Sequence, residues 1–320
     1  MLKIQFPNQP YYGGPGSFQK LFSNELKKSN DFEIINPEDS DFSNYIFIVN
    51  GTKRLFWLLK CKIRGSKIIL RVDGIDLNFN NVNKGVKSLL LALIRKIIVI
   101  IIANFFAQKI IYQSQFIKKQ WSKFLIFKKE TKVIYNGVDE NFFLPKRLSQ
   151  TNHIICVEGE INSPYAIKIL NGIKNYKITV VGKISNEIKN KIINENVIFT
   201  GKINSKKIVE YLNSHKVYLC IEEDPPCPNS VLEAMSCDLP IFGFNSGSLN
   251  ELVGYSGILT DLCVENNTPS NSSIKMLNND LVNFFENCEK LEFNSRERVL
   301  ENFTFQKIFN EYLDFIIDSK

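Results

Sequence analysis

The chain has 320 residues, 44% hydrophobic and 23% charged: enough for two domains that each bury a core, and too apolar for a disordered protein. Its net charge of +7 conceals a split, since residues 1–150 carry 24 Lys and Arg against 11 Asp and Glu, a net +13, and the remainder is net −6. Seven scattered cysteines without a C-x-x-C pair, and only two histidines, His153 and His215, argue against a disulfide framework and a zinc site, and for a reducing, cytoplasmic setting.

The first residues run straight into a turn-rich stretch, so no signal-peptide core is expected. The longest apolar run, residues 97–107, is broken by Asn104 and falls short of the roughly 20 residues a membrane span needs. In chain order, strands are predicted at 2–6, 32–35, 46–49, 68–72, 110–113 and 132–135, with helices at 17–28, 53–64, 86–106 and 115–123 between them. The scheme then repeats. Strands are predicted at 154–157, 177–181, 197–200, 217–221, 240–244 and 257–259, with helices at 164–173, 186–193, 205–213, 230–237 and 274–288. A helical pattern over 298–317 closes the sequence, and the polar stretch 141–152 reads as a linker. Apolar strands alternating with amphipathic helices predict an α/β chain of two Rossmann-like, doubly wound parallel-sheet domains. In such sheets ligands bind beyond the carboxyl ends of the strands, so the strand-to-helix turns are where chemistry belongs.

Four constellations fall there or beside them. Tyr11-Tyr12-Gly13-Gly14-Pro15-Gly16-Ser17 offers close backbone approach and a helix start suited to phosphate, yet it is neither G-x-G-x-x-G nor a P-loop. Asp224-Pro225-Pro226-Cys227-Pro228-Asn229-Ser230 leads into a helix that Asn229 or Ser230 is expected to cap, with Glu233 in its first turn. That carboxylate reads either as a capping-box Glu or as an acceptor for two vicinal ribose hydroxyls. Arg71-Val72-Asp73-Gly74 ends a strand; Asp73 suits a base for an acceptor hydroxyl, against the alternative of a structural ion pair with Arg71. Residues 53–64 and 116–124 interleave cations with Trp and Phe, as helices that lie on anionic lipid do, although a sheet-covering helix with solvated lysines has the same composition.

Glu233-Ala234-Met235-Ser236-Cys237-Asp238-Leu239-Pro240 resembles the E-A-M-A-C-G-L-P stretch of family 4 glycosyltransferases of GT-B fold. Further similarities follow in order: Ile134-Tyr135-Asn136-Gly137-Val138-Asp139 to I-P-N-G-V-D, Val180-Val181-Gly182 and Ile198-Phe199-Thr200-Gly201 to strand ends of the second domain, and Ser246–Val253 to G-G-x-x-E-L-V. The resemblance implies a GT-B protein whose domains, 1–148 and 149–300, face each other across a cleft, with a helix at 301–320 returning to the first. It implies a retaining transfer of sugar from a nucleotide diphosphate donor to a polysaccharide, lipid-linked or glycolipid acceptor, without cofactor, metal or nucleic acid. Glu233, Asn229, Ser230, Gly14 and Gly16 would then meet the donor, Gly13 and Asn136 the acceptor, and Asp73 with Arg71 would serve catalysis. A peripheral position on the inner face of a membrane follows if the basic first domain meets anionic lipid.

Two departures stand out. Eight residues before Glu233, where the family has a second carboxylate, this sequence has Pro225, with Glu222, Glu223 and Asp224 adjacent. After the first strand of the second domain, where the family has Arg and Lys, Val157-Glu158-Gly159-Glu160-Ile161-Asn162-Ser163-Pro164 holds no cation. Lys183 and Lys202 are the candidate replacements, with solvated surface lysines as the alternative. The missing cations also motivate a second hypothesis, a catalytically weak GT-B protein acting as a binding or scaffold partner. A sugar-nucleotide epimerase ranks last, for want of its usual histidines and carboxylates.

Overall fold

The computed structural model describes residues 1–10, 13–39, 43–74, 86–146, 152–287 and 291–317. They form two compact units: unit 1 holds the described residues of 1–135 and those of Ile308–Lys320, and unit 2 those of Asn136–Lys307. The first boundary therefore falls after Tyr135, ahead of the polar stretch expected to be the linker.

Unit 1 is built from β1 (Leu2–Gln5), α1 (Gly14–Leu26), β2 (Phe32–Ile35), β3 (Tyr45–Val49), α2 (Leu55–Ile63), β4 (Lys67–Val72), α3 (Val86–Ile101), β5 (Lys109–Tyr112), α4 (Gln115–Ser122) and β6 (Glu130–Val133). Its six strands are all parallel in the order β2-β1-β3-β4-β5-β6. Every residue of β3 is buried, the continuous apolar strand that a sheet covered on both faces requires. The helix predicted over 86–106 is α3 followed by a π-turn, Ile102–Phe106. Asn104 explains the change: its Nδ2 donates to Ile100 O and Phe124 O, and its Oδ1 accepts from Ile126 N, so the residue that interrupts the apolar run anchors the turn.

Unit 2 follows with β7 (Asn152–Ile161), α5 (Pro164–Gly172), β8 (Ile178–Ile184), α6 (Asn186–Lys189), β9 (Val197–Gly201), α7 (Ser205–Asn213), β10 (His215–Leu219), α8 (Asn229–Ser236), β11 (Ile241–Phe244), α9 (Leu249–Val253), β12 (Gly257–Thr260), the two-residue strands β13 (Val264–Glu265) and β14 (Thr268–Pro269), α10 (Asn271–Asn287) and α11 (Ser295–Asn302). Six parallel strands run β12-β11-β10-β7-β8-β9. The chain reverses direction across the sheet between β7 and β10, the place where a doubly wound sheet opens a crevice at its carboxyl edge.

The closing helical pattern is two helices rather than one, α11 and α12 (Phe305–Ile317). Ile308, Phe309, Tyr312, Phe315 and Ile316 fall on one stripe of α12 and are buried, as that spacing dictates. From Ile308 onward the helix belongs to unit 1, where Phe309 and Tyr312 meet Phe18, Phe22 and Phe47 ring to ring at 5.0–6.1 Å.

Candidate functional site

The crevice edge of unit 2 is lined by the end of β7, the loop from Cys220 to Pro228, the start of α8 and the Asn245–Ser248 turn. The helix begins differently from expectation. Pro228 is the N-cap, so Asn229 and Ser230 are its first two residues and no side chain caps it. Its leading N–H groups have no acceptor within the helix. Glu233 sits in the second turn, beyond the position a capping-box Glu occupies, so that alternative falls away. Burial alone pushes its carboxyl up to about 8. At the far end of α8, Arg296 donates to Ser236 O at 2.7 Å, and also to Phe143 O and Glu140 O, placing a cation on the negative end of the helix.

Asn136 is the tether of this loop. Its Nδ2 donates to Cys227 O and to Asn229 Oδ1, both at 2.8 Å, and its own N–H donates to Cys227 Sγ at 3.3 Å. The side chain expected to touch an acceptor is 92% withdrawn from solvent and holds the entrance of α8. Pro225, standing where a carboxylate was sought, packs backbone to backbone on the neighbouring turn: a Cβ on Gly247 would lie 2.4 Å from Pro225 N. Gly247 has φ 58, and Ser248 N donates to Pro225 O at 2.9 Å. Two loops from β10 and β11 are thereby locked together.

The cation-free stretch after Val157 is not a turn. β7 continues to Ile161 through a register shift between Val157 and Glu160, and a Cβ on Gly182 of β8 would meet Glu158 O at 2.2 Å. Glu158 Oε1 is sealed from solvent, and burial, reinforced by the Glu222 charge, holds its carboxyl well above the usual carboxylate range. Tyr218, which donates to Val157 O at 3.1 Å and also pairs with Ser230, has its hydroxyl raised by burial and then by Glu158. Sequence reasoning missed Glu158, Tyr218 and Arg296 as contributors; only the place of Glu158 at the end of a first strand offered a signal.

Lys183 and Lys202 are both exposed. Lys183 lies within β8, 72% exposed, opposite Glu160 at 4.0 Å, and Lys202 follows β9. His215 is buried against Thr179 and Tyr211, and its pKa is lowered, first by burial, consistent with a packing role. Among the described residues no group of three or more His, Cys, Asp or Glu is placed to hold a metal ion.

In unit 1, α1 starts at Gly14 with Gly13 as its N-cap at φ 105; open space surrounds a Cβ built at either, whereas Gly16 is buried in the first turn. Tyr11 and Tyr12 lie outside the described residues. Arg71 and Asp73 occupy different environments. Arg71 is 1% exposed, donates through Nε to Tyr312 Oη at 2.9 Å and lies 4.2 Å over the Phe18 ring, an interior position rather than an open one. Asp73 is half-buried just past β4, where its Oδ1 accepts from Gln113 Nε2 at 2.7 Å and from Gly74 N, while Trp121 Nε1 donates to its carbonyl.

Residues 163–298 match the family described as glycosyl transferases group 1. A comparison with curated proteins returns no match. Among solved structures, the sucrose-phosphate synthase of Thermosynechococcus elongatus is similar at TM-score 0.75 and 14% identity, over 98% of each chain. Anabaena HepE in complex with UDP and glucose is similar at TM-score 0.69 and 17% identity, over 99% of this chain and all of that one. A glycosyltransferase from Rickettsia africae is similar at 0.70 and 14%, over 100% and 99%. Those similarities are of fold.

Proposed function

We infer that this chain is a glycosyltransferase of GT-B type, on the strength of its group 1 match at residues 163–298, and that it moves a sugar, with retention at the anomeric carbon, from a nucleoside diphosphate to a glycan or lipid-linked acceptor. The observation that carries the donor half is the pairing of an uncapped α8 start with the half-buried Glu233 one turn on. The N–H groups suit a diphosphate, and the carboxylate suits a ribose diol. HepE, bound to UDP-glucose in one solved structure, supports a uridine donor. Asp73, oriented by Gln113 and Gly74, is the group on which acceptor deprotonation would rest, with Gly13 and Gly14 offering unobstructed backbone beside the helix start. No metal enters this reading. The acceptor, a building block of a surface glycan, would be met at the cytoplasmic face of a membrane.

Titration of UDP and UDP-glucose into the wild type and Glu233→Ala tests the donor half. Micromolar binding lost in the variant is expected; no binding of any nucleotide sugar, or equal binding by both proteins, removes it. Inversion of configuration in the product would remove only the retaining step.

A second reading has its own observation. The stretch from Val157 to Pro164 holds no cation, so the chain would bind nucleotide without turning it over. Binding with no UDP released in the presence of candidate acceptors distinguishes this scaffold role from catalysis.

A further inference from the structure

Between residues 43 and 129 the sequence carries 17 Lys and Arg against two acidic residues, Asp73 and Asp76. The fold gathers part of that stretch into one face of unit 1. On α2, Leu58 is buried, whereas Phe56, Leu59 and Ile63, at i, i+3 and i+7, form a second apolar stripe on the solvent side; Phe56 and Ile63 are 72% and 76% exposed. Helix α2 packs on the π-turn, and Lys62 donates to Phe105 O at 2.5 Å. There Phe105 turns outward, 54% exposed, and meets the Phe127 ring at 5.8 Å, with Ile126 beside it at 73% exposed. Asn104, bonded to Phe124 O and Ile126 N, ties the turn to that loop.

The apolar side chains are thus held outward by a hydrogen-bonded frame, and cations rim them. Lys60 lies over Phe56, Lys96 and Lys123 lie over Phe124, and Lys129 lies over Phe127. Like charges are brought close: Lys62 acts on Lys129 and Lys123 on Lys96, in each case adding to burial in lowering the second lysine's pKa. Soluble surfaces rarely concentrate large apolar side chains this way, and lysines set near one another call for an anionic counterpart.

We propose that the face formed by α2, the π-turn and the loop at 124–129 docks on a bilayer carrying anionic headgroups, with Phe56, Ile63, Phe105 and Ile126 entering the interfacial layer and the lysines meeting phosphate. This deepens the acceptor side of the function above and rests on it only in making the acceptor lipid-linked. The charge rim favours anionic lipid over a second copy of this chain, whose equivalent face would be equally positive.

Flotation of the full chain with vesicles of phosphatidylglycerol and phosphatidylcholine, against phosphatidylcholine alone, tests it. At low salt the wild type should float with the anionic vesicles only. Phe105→Ser with Ile126→Ser, and separately Lys60→Glu with Lys129→Glu, should each lower partition about tenfold while thermal midpoint and UDP affinity stay at wild-type values. Absence of anionic partition, partition unchanged in both double variants, or a dimer in solution that the Ser variant dissolves would each overturn it. UDP titration of the same samples keeps this failure distinct from failure of the transferase reading.

Discussion

The Asn136 side-chain amide donates to Asn229 Oδ1 at 2.8 Å, joining residues 93 positions apart and fixing the first residue of α8. With its second bond, to Cys227 O, the amide supports both sides of Pro228, the residue from which the helix starts. Replacing Asn136 by Asp sets an acceptor against two acceptors. Asn136→Asp should therefore cost about 1–3 kcal/mol of stability and weaken UDP binding more than Asn136→Ala does. Denaturant unfolding and calorimetric titration of the two variants check this; equal affinities would show that the tether does not shape the donor site.

The raised Glu233 carboxyl makes the donor site pH-dependent. The native state retains its proton up to about 8, whereas the unfolded chain releases it near the ordinary value of 4.5. Stability from this group is full below pH 4.5, falls as pH rises through the interval and levels off above about 8. Glu233→Gln should remove that slope in urea midpoints measured from pH 5 to 9. Ribose hydroxyls donate best to the ionised form, so wild-type UDP affinity should rise from pH 6 to 8 and the Gln variant should stay flat. A flat wild-type profile would separate Glu233 from the ribose.

Tyr312→Phe removes the partner of a buried guanidinium nitrogen. A loss of about 2 kcal/mol is expected, the scale of a hydrogen bond to a charged group, with UDP affinity unchanged. Thermal melts alongside nucleotide titration report both. Lowered UDP affinity would contradict a purely structural role for the Arg71–Tyr312 contact.

Gly182→Ala drives a methyl group against the backbone oxygen of Glu158, so one of the two strands must shift. A penalty of about 1–3 kcal/mol is expected. An unchanged melting temperature would mean that the β7 irregularity yields easily.

Two tandem parallel sheets were legible because buried strands and amphipathic helices have different periods, and the 163–298 family match lies where the motif residues cluster. Finer features were not, each for a physical reason. Glu158 looked like the start of a turn because a bulge breaks the apolar pattern of β7 without ending the strand. Asn229 looked like a cap because its residue type favours one, but the proline before it takes the position and Asn136 takes its side chain. Arg71 was read beside Asp73 because the two are near neighbours in sequence; its burial involves a tyrosine 241 positions away, which no local window contains. The cations and aromatics of residues 53–64 gave α2 a lipid-facing reading, but not which of its apolar residues turn outward, since a helix apolar on both sides does not say which stripe covers the sheet.

That long separation bears on how the chain is made. As it leaves the ribosome, β4 and β5 emerge with Arg71 and Lys109 inside the sheet region, while Tyr312 and the Phe315 carbonyl that receive them have yet to be translated. Synthesis of unit 2 fills the interval. The unit begun first is therefore completed after the second, and until then its nascent core lacks the α12 stripe and leaves the apolar surface around Phe18, Phe22 and Phe47 uncovered by that helix.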